Sequence, residues 1–469
     1  MVFSSLSFLF LYLPILVILY YAAPNRTWRN GVLLVGSLLF YAWGEPRLII
    51  IMIFSSVAAF LGGRCMDRSR LQGKTQAEKI AFTITVILIL GALVVFKYSD
   101  FVLANVNRLF NTEIPLPHLR LPIGISFYTF QTLSYVIDLH RGKVSVQKDY
   151  RKLLLYICLF PQLIAGPIVR YATVENELLN RQENRAEVSD GIRRFAIGLA
   201  KKVLIANGVA RFAEIVYAGD PANYGTVMYW LAALAYTLQI YFDFSGYSDM
   251  AIGLGWIFGF HFLENFDHPY TALSVTDFWR KWHISLSSWF RDYVYIPLGG
   301  NRVSTPRWAW NLFVVWALTG LWHGASWNFV IWGLYYGTLL VLEKLFLSNA
   351  LQALPKGIRW LITFIIVNIG WVIFNLTNIS QMRFALSRMF SVVPTDFITV
   401  VSSNTGILEG AFYLPLGLIC MLPVGAVLKR RFRFFSQAAV QDIWTIVLLA
   451  LCVIWLFSSK YNPFIYFRF

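Results

Sequence analysis

Two histidines stand in this sequence where a titratable side chain needs a reason. His323 lies in Leu318-Thr-Gly-Leu-Trp-His-Gly-Ala-Ser-Trp327, an otherwise apolar stretch, with Gly320 before it and Gly324 directly after. An ionisable group in such a segment is costly and marks a functional site by default. Imidazole titrates near neutrality, which suits a general base. The structural alternative is a histidine hydrogen-bonded inside a helix bundle. The neighbouring glycines favour chemistry, because they let a substrate or another stretch of backbone come close. His283 lies within Asp277 to Pro297, where Trp279, Trp282, Leu286, Trp289, Phe290 and Tyr293 recur at helical steps opposite Asp277, Lys281, Ser285, Ser288 and Asp292. That pattern predicts one strongly amphipathic helix. Ser274 with Asp277 forms a capping-box-like start, and Pro297 a stop. His283 sits at the edge of the aromatic face.

A third polar element, Tyr241-Phe-Asp-Phe-Ser-Gly-Tyr-Ser-Asp249, sets Asp243 and Asp249 between two apolar runs, with Gly246 at the break. It reads as a tight polar turn or as a polar feature of a cavity, and for catalysis the turn is the better reading. Other chemistry lacks support. There is no GxSxG elbow, no P-loop and no dinucleotide fingerprint. His118, His140, His261, His268, His283 and His323 include no HExxH, so no metal site is expected. Cys65, Cys158, Cys420 and Cys452 have neither CxxC nor metal-type spacing and read as core residues.

The elements that must hold these residues are apolar. Hydrophobic residues make up 58% of the chain and charged residues 14%, against nearer half and a quarter in soluble domains. The apolar residues form long runs: Leu6 to Ala22, Leu48 to Gly62, Ile80 to Phe96, Val227 to Phe242, Met250 to Phe260, Asn328 to Leu342, Trp360 to Phe374, Phe412 to Leu428 and Ile443 to Phe457. In lipid the backbone must satisfy its own hydrogen bonds, so these runs are helices. They read as roughly ten to twelve spans of an all-α membrane protein, plus short buried pieces of re-entrant type. The first run has no Lys or Arg before it and no small-x-small site after it, so it reads as a transmembrane helix and not a cleaved leader.

A net charge of +16 would suggest nucleic acid in a soluble protein. Here the cations cluster in short loops: Arg64, Arg68, Arg70, Lys74 and Lys79; Arg141, Lys143, Lys148, Arg151 and Lys152; Lys429, Arg430, Arg431 and Arg433. Positive-inside bias produces this pattern and puts all three clusters in the cytoplasm, with no nucleic-acid partner implied. No polar stretch is long enough for a soluble domain; the longest, Arg170 to Arg194, reads as a helix or loop at the membrane surface. Two segments break the helical pattern: Leu121-Pro-Ile-Gly-Ile-Ser-Phe-Tyr-Thr-Phe-Gln131 and Phe160-Pro-Gln-Leu-Ile-Ala-Gly-Pro167. They are either kinked helices in a packed bundle or the lining of an internal chamber. The amphipathic segment at Trp279 to Tyr293 likewise either lies in the membrane interface or lines a polar funnel.

At these residues the chain resembles the membrane-bound O-acyltransferase family. Phe278-Trp-Arg-Lys-Trp-His-Ile-Ser-Leu-Ser-Ser-Trp-Phe-Arg-Asp-Tyr293 is similar to the family's first signature. Gly320-Leu-Trp-His-Gly324 is similar to its second, which carries the signature histidine. The resemblance is closest to the alginate O-acetyltransferase membrane subunits, a bacterial branch that includes the teichoic acid D-alanyl transfer proteins. Met1-Val-Phe-Ser-Ser5, Ser37-Leu-Leu-Phe-Tyr-Ala-Trp-Gly-Glu-Pro46, Leu121 to Tyr128, Ala165-Gly-Pro167 and Phe242 to Asp249 also look like that branch, and the similarity runs to about Tyr336.

The resemblance implies one transmembrane domain over residues 1–469, a ring of helices with re-entrant and amphipathic pieces about a thin centre. A funnel from each side would meet near His323, lined by the broken segments and by Trp279 to Tyr293. It also implies a multi-pass protein of the plasma or inner membrane that moves acetyl groups onto an exported or cell-surface polysaccharide. Acetyl-CoA is the implied donor substrate, with no permanently bound cofactor. An extracytoplasmic partner of the SGNH hydrolase type would deliver the acetyl group to sugar hydroxyls. In this reading the catalytic residues are His323 as base, kept neutral by burial, and His283 as the group that positions the thioester or the oxyanion. Trp322 and Trp327 would exclude water. The rival readings are a transporter and a scaffold of an export complex, both without acyl-transfer chemistry. No internal inverted repeat supports the transporter.

Overall fold

The computed structural model describes residues 1–459, 461, 462 and 465. It is helical throughout, with no strand among the described residues and one isolated antiparallel bridge between Phe266 and Trp282. The chain divides into two compact units, Met1–Ile192 with Met250–Leu263, and Arg193–Asp249 with Glu264–Phe469.

Among the described residues, five helices are long and apolar enough to cross a membrane: Ile49–Leu71, Thr75–Phe110, Trp327–Ala353, Lys356–Asn375 and Ala438–Ser458. A sixth span results if Thr405–Cys420 and Val424–Arg431, bent by 54° at their break, count as one. The run at the N-terminus gives a shorter apolar helix, Phe8–Ala22. On these helices Ile50, Ile87 and Ile446 are 64%, 62% and 66% exposed. Outward-facing side chains of that kind belong in lipid, since water-facing surfaces rarely carry such extended apolar patches. The chain is therefore a multi-pass membrane protein.

In the first unit the two basic clusters near Arg64 to Lys79 and Arg141 to Lys152 end up side by side. Arg70 donates to the carbonyl oxygens of Leu139 at 3.1 Å and His140 at 2.9 Å, and it also pairs with Glu78. His140 Nδ1 lies 3.2 Å from the same carboxylate. These bonds tie both loops to one end of the unit, as a shared side of the membrane requires.

The two broken segments pack against each other in the same unit. Gly124, at φ +76°, opens the helix Ile125–His140. A Cβ there would stand 2.7 Å from the Leu163 carbonyl oxygen. The irregular backbone after Phe160–Leu163 is held by the buried Tyr156 hydroxyl, which donates to the Val169 carbonyl at 2.9 Å. Of the two readings left open, packing inside the protein is the one this geometry supports. The polar stretch Arg170 to Arg194 contains two single-turn helices and the start of Arg185–Ala200. Within it Arg181 is buried, with its guanidinium 4.4 Å from the Phe260 ring centroid.

The expected turn at Tyr241 to Asp249 does not form, and Thr226–Ile257 is one uninterrupted helix. Gly246 makes no break. Its missing side chain lets the carbonyl of Gly198 approach, where a Cβ would be 2.7 Å from that oxygen. The carboxylates on this helix are paired from the preceding segment. Asp243 bonds Lys202 at 2.6 Å, both side chains almost fully buried, and Asp249 bonds Arg194 at 2.9 Å and Lys201 at 2.6 Å. A buried charge without a partner would be prohibitive, so these pairs are structural.

Candidate functional site

The segment read as one amphipathic helix is two helices with a break at His283. Val275–Lys281 starts as expected, with the Ser274 hydroxyl accepting from Asp277 N at 3.1 Å. The reciprocal bond goes one residue further back, from Leu273 N to Asp277 Oδ2 at 3.1 Å. Glu343 adds a second cap: its carboxylate accepts from Val275 N at 2.8 Å and Thr276 N at 3.2 Å. A carboxylate on first-turn amides satisfies orphan donors and meets the positive end of the helix dipole.

Trp282 is then extended and His283 left-handed at φ +45° before Ile284–Phe290 begins. The irregular connection just upstream, around the isolated bridge from Phe266 to Trp282, enforces the break. Asp267 N donates to Lys281 O and Ile284 N to Asn265 O, both at 3.0 Å. The first of these removes a carbonyl from helix continuation, and the left-handed residue turns the chain. A π-helical turn, Arg291–Tyr295, follows, and such turns recur at functional sites.

His283 is 1% exposed. Its Nδ1 lies 3.1 Å from Asn265 Oδ1, while Nε2 has no hydrogen-bond partner among the described residues. Phe244 packs edge-on at 4.6 Å between centroids and Trp322 at 5.9 Å. Burial among these rings pushes the imidazole down to about 3, so it is neutral at physiological pH. Sequence reasoning passed over Asn265. It sits in an unremarkable connection, and only the long-range pairing with Trp282 to Ser285 reveals it.

His323 ends the helix Thr305–His323 and is 5% exposed. Trp332 and Phe374 stand edge-on to its ring at 5.1 and 5.0 Å. Asn328 fixes that wall by donating to the Phe374 carbonyl at 2.9 Å. The glycines beside His323 receive protein and not substrate. A Cβ on Gly320 would lie 2.3 Å from the Phe329 carbonyl oxygen, and one on Gly324 would lie 2.2 Å from the Phe329 ring. Gly333 returns the fit, since a Cβ there would be 2.4 Å from Trp316 O. The two helices therefore cross backbone to backbone, which holds His323 rigidly.

Both histidines line one cavity of about 430 Å³ within the second unit. Its apolar wall includes Trp279, Trp282 and Trp316, and it also carries Arg280, Arg291 and Lys344. Lys344 Nζ sits 4.2 Å from the Trp308 ring centroid. Trp322 lies beside both imidazoles, 5.0 Å from that of His323. Trp327, expected to shield the site as well, is 50% exposed and is not among the cavity's lining residues. The arrangement offers two buried imidazoles beside an aromatic wall, with exposed cations lining the same cavity. Such a setting suits transfer of a reactive group that water must not reach.

The sequence matches the profile "MBOAT, membrane-bound O-acyltransferase family" over residues 38–387. A probable alginate O-acetylase of Azotobacter vinelandii is 42% identical over 395 residues, 83% of this chain and 78% of the relative. One from Pseudomonas aeruginosa is 42% identical over 419 residues, 88% of this chain and 80% of the relative. A peptidoglycan O-acetyltransferase of Helicobacter pylori is 31% identical over 519 residues, 100% of this chain and 98% of the relative. The matched region contains both cavity histidines, and on these grounds the chain belongs to the membrane-bound O-acyltransferase family.

Proposed function

We propose that this acyltransferase serves the O-acetylation of an exported or cell-surface polysaccharide, with acetyl-CoA as the donor. The carrying observation is the single cavity that holds both His283 and His323, in a chain similar to an alginate O-acetylase and a peptidoglycan O-acetyltransferase. An accepting hydroxyl attacks the thioester carbonyl, a tetrahedral oxyanion forms, and the thiolate leaves. His323 takes the hydroxyl proton and returns it to the departing sulfur. His283 positions the reacting group, and the Trp-rich wall keeps water from the thioester. Arg280, Arg291 and Lys344 support the choice of donor, since phosphates of coenzyme A would meet cations in that cavity.

The finer architecture belongs to the same proposal. Helices too short or too polar to stand as spans alone, such as Phe8–Ala22 and Thr226–Ile257, would bring the total to roughly ten to twelve around a funnel. The setting is the inner membrane, and an extracytoplasmic SGNH-type protein passes the acetyl group to the polymer. The test is to incubate purified protein in liposomes with acetyl-labelled acetyl-CoA, with and without such a partner and a polymer. Release of free thiol together with labelled acceptor is expected. An intact thioester under all conditions would favour a transporter or scaffold.

A further inference from the structure

The connection before the His283 helix carries a buried amide that faces the imidazole. Asn265 is 1% exposed. Its Oδ1 accepts from Ser285 N at 3.2 Å and from Ser285 Oγ at 2.8 Å, and its Nδ2 donates to Ser248 Oγ at 3.2 Å. A backbone N–H can only donate, so the atom facing Ser285 N must be the oxygen, and the amide orientation is fixed. The same oxygen lies 3.1 Å from His283 Nδ1. Two acceptors would repel at that distance, so Nδ1 carries the hydrogen. The other donor nearby, the Ser285 hydroxyl, is 3.5 Å from Nδ1 and closer to Oδ1. A neutral imidazole with hydrogen on Nδ1 has a lone pair on Nε2.

We infer that Asn265 is a positioning residue for the acyl-transfer reaction, fixing His283 in the tautomer whose Nε2 can only accept a hydrogen bond from the substrate. The inference rests on the acyl-transfer reading of the cavity and narrows it. His283 cannot donate to the oxyanion, so of its two possible tasks it keeps the one that holds the donor or acceptor molecule through an N–H or O–H group. Ser248, on the Thr226–Ile257 helix, supports Asn265 from behind. This gives the Phe242 to Asp249 motif a link to the site that passes through a serine and not through its carboxylates.

The tautomer can be read without activity. Nitrogen NMR of histidine-labelled protein, with the His283 signals assigned by their loss in His283→Asn, should show Nδ1 protonated and Nε2 bare at neutral pH. A signal from hydrogen on Nε2 overturns the inference, whatever reaction the protein catalyses. The role is read from Asn265→Asp, which keeps the accepting oxygen but sets a negative charge beside Nδ1. Other titratable or charged groups in the cavity are His323, Arg280, Arg291, Tyr295 and Lys344, so the control is the same change in a His283→Asn background. Asn265→Asp should add an acid-side fall in kcat between about pH 5 and 8, with recovery above that range, because the carboxylate favours the imidazolium. The added fall should vanish in the double variant. An unchanged profile, a fall that persists without His283, or inactivity at every pH in folded protein would each overturn the role. Rates are taken per mole of protein that elutes as a single species from size exclusion, so a loss of folding does not count as a loss of turnover.

Discussion

The carbonyl oxygen of Phe329 occupies the place that a β-carbon on Gly320 would need, 2.3 Å from it. Gly320→Ala should therefore force apart the two helices that carry His323 and its aromatic wall. Overpacking of this kind costs about 1–3 kcal/mol, so the variant should reach the membrane in reduced amount and lose most of its transfer activity. Quantifying its membrane level and its acetylation per molecule checks this. Wild-type turnover at wild-type abundance would mean the crossing is looser than the geometry states.

His323→Ala should abolish acyl transfer while leaving the protein in the membrane. The ring lies against Trp332 and Phe374 at the end of its helix, so its removal leaves a cavity and no route for the proton. Polymer acetylation in cells, measured beside membrane abundance, decides the matter. Full acetylation would remove His323 from the mechanism.

The two histidines should differ in their tolerance of asparagine. His283→Asn keeps a donor and an acceptor of similar reach and should retain part of the activity. His323→Asn cannot take a proton and should retain none. If both are equally dead at matched protein level, the imidazoles act as one unit. If His323→Asn is the more active, the roles are reversed.

Acid should unsettle the fold through His283. Its imidazole is held near 3 by burial, against about 6.5 in an unfolded chain. Above about pH 6.5 both states are neutral and nothing is lost. As the pH falls from there toward 3, the unfolded chain gains a proton that the folded one lacks, and stability drops. Thermal melts in detergent at neutral and acid pH should show a smaller acid loss for His283→Asn than for the wild type. Equal losses would mean that His283 already carries its proton in the fold.

The loops holding Arg64 to Lys79 and Arg141 to Lys152 should both face the cytoplasm. Arg70 ties them together through the carbonyl oxygens of Leu139 and His140, so they must share a side. Single cysteines placed in each loop should resist an impermeant thiol reagent added from outside. Ready labelling at either would overturn the orientation, and labelling at one alone would contradict the contact as well.

Much of the site was legible from residue types. An imidazole in an apolar run between glycines, and a dense Trp cluster upstream of it, pointed to His323 and His283, and the structure brings both to one cavity. The capping residues Ser274 and Asp277 were also readable, because capping is local. The break at His283 was not. Three- and four-residue steps of aromatics continue through Trp282 and Trp289, and what interrupts them is Asp267 N on Lys281 O, a bond from the connection outside the helix that no periodicity within the segment encodes. Asn265 escaped for the same reason. Gly246 and the two aspartates looked like a turn, since a glycine among polar residues has that signature. Only the packing of Gly198 and the pairing with Lys201, Lys202 and Arg194 show a continuous helix.

The left-handed backbone at His283 bears on how any mutational scan of this protein should be interpreted. At φ +45° a residue with a β-carbon is strained, and asparagine and glycine are the replacements that accept the conformation most readily. An alanine at position 283 would remove the imidazole and also tilt the junction between two helices toward a conformation it prefers, so its phenotype would mix two causes. Asparagine isolates the loss of the ring, and glycine isolates the loss of the whole side chain. A disagreement between alanine and glycine there would measure the backbone and not the chemistry.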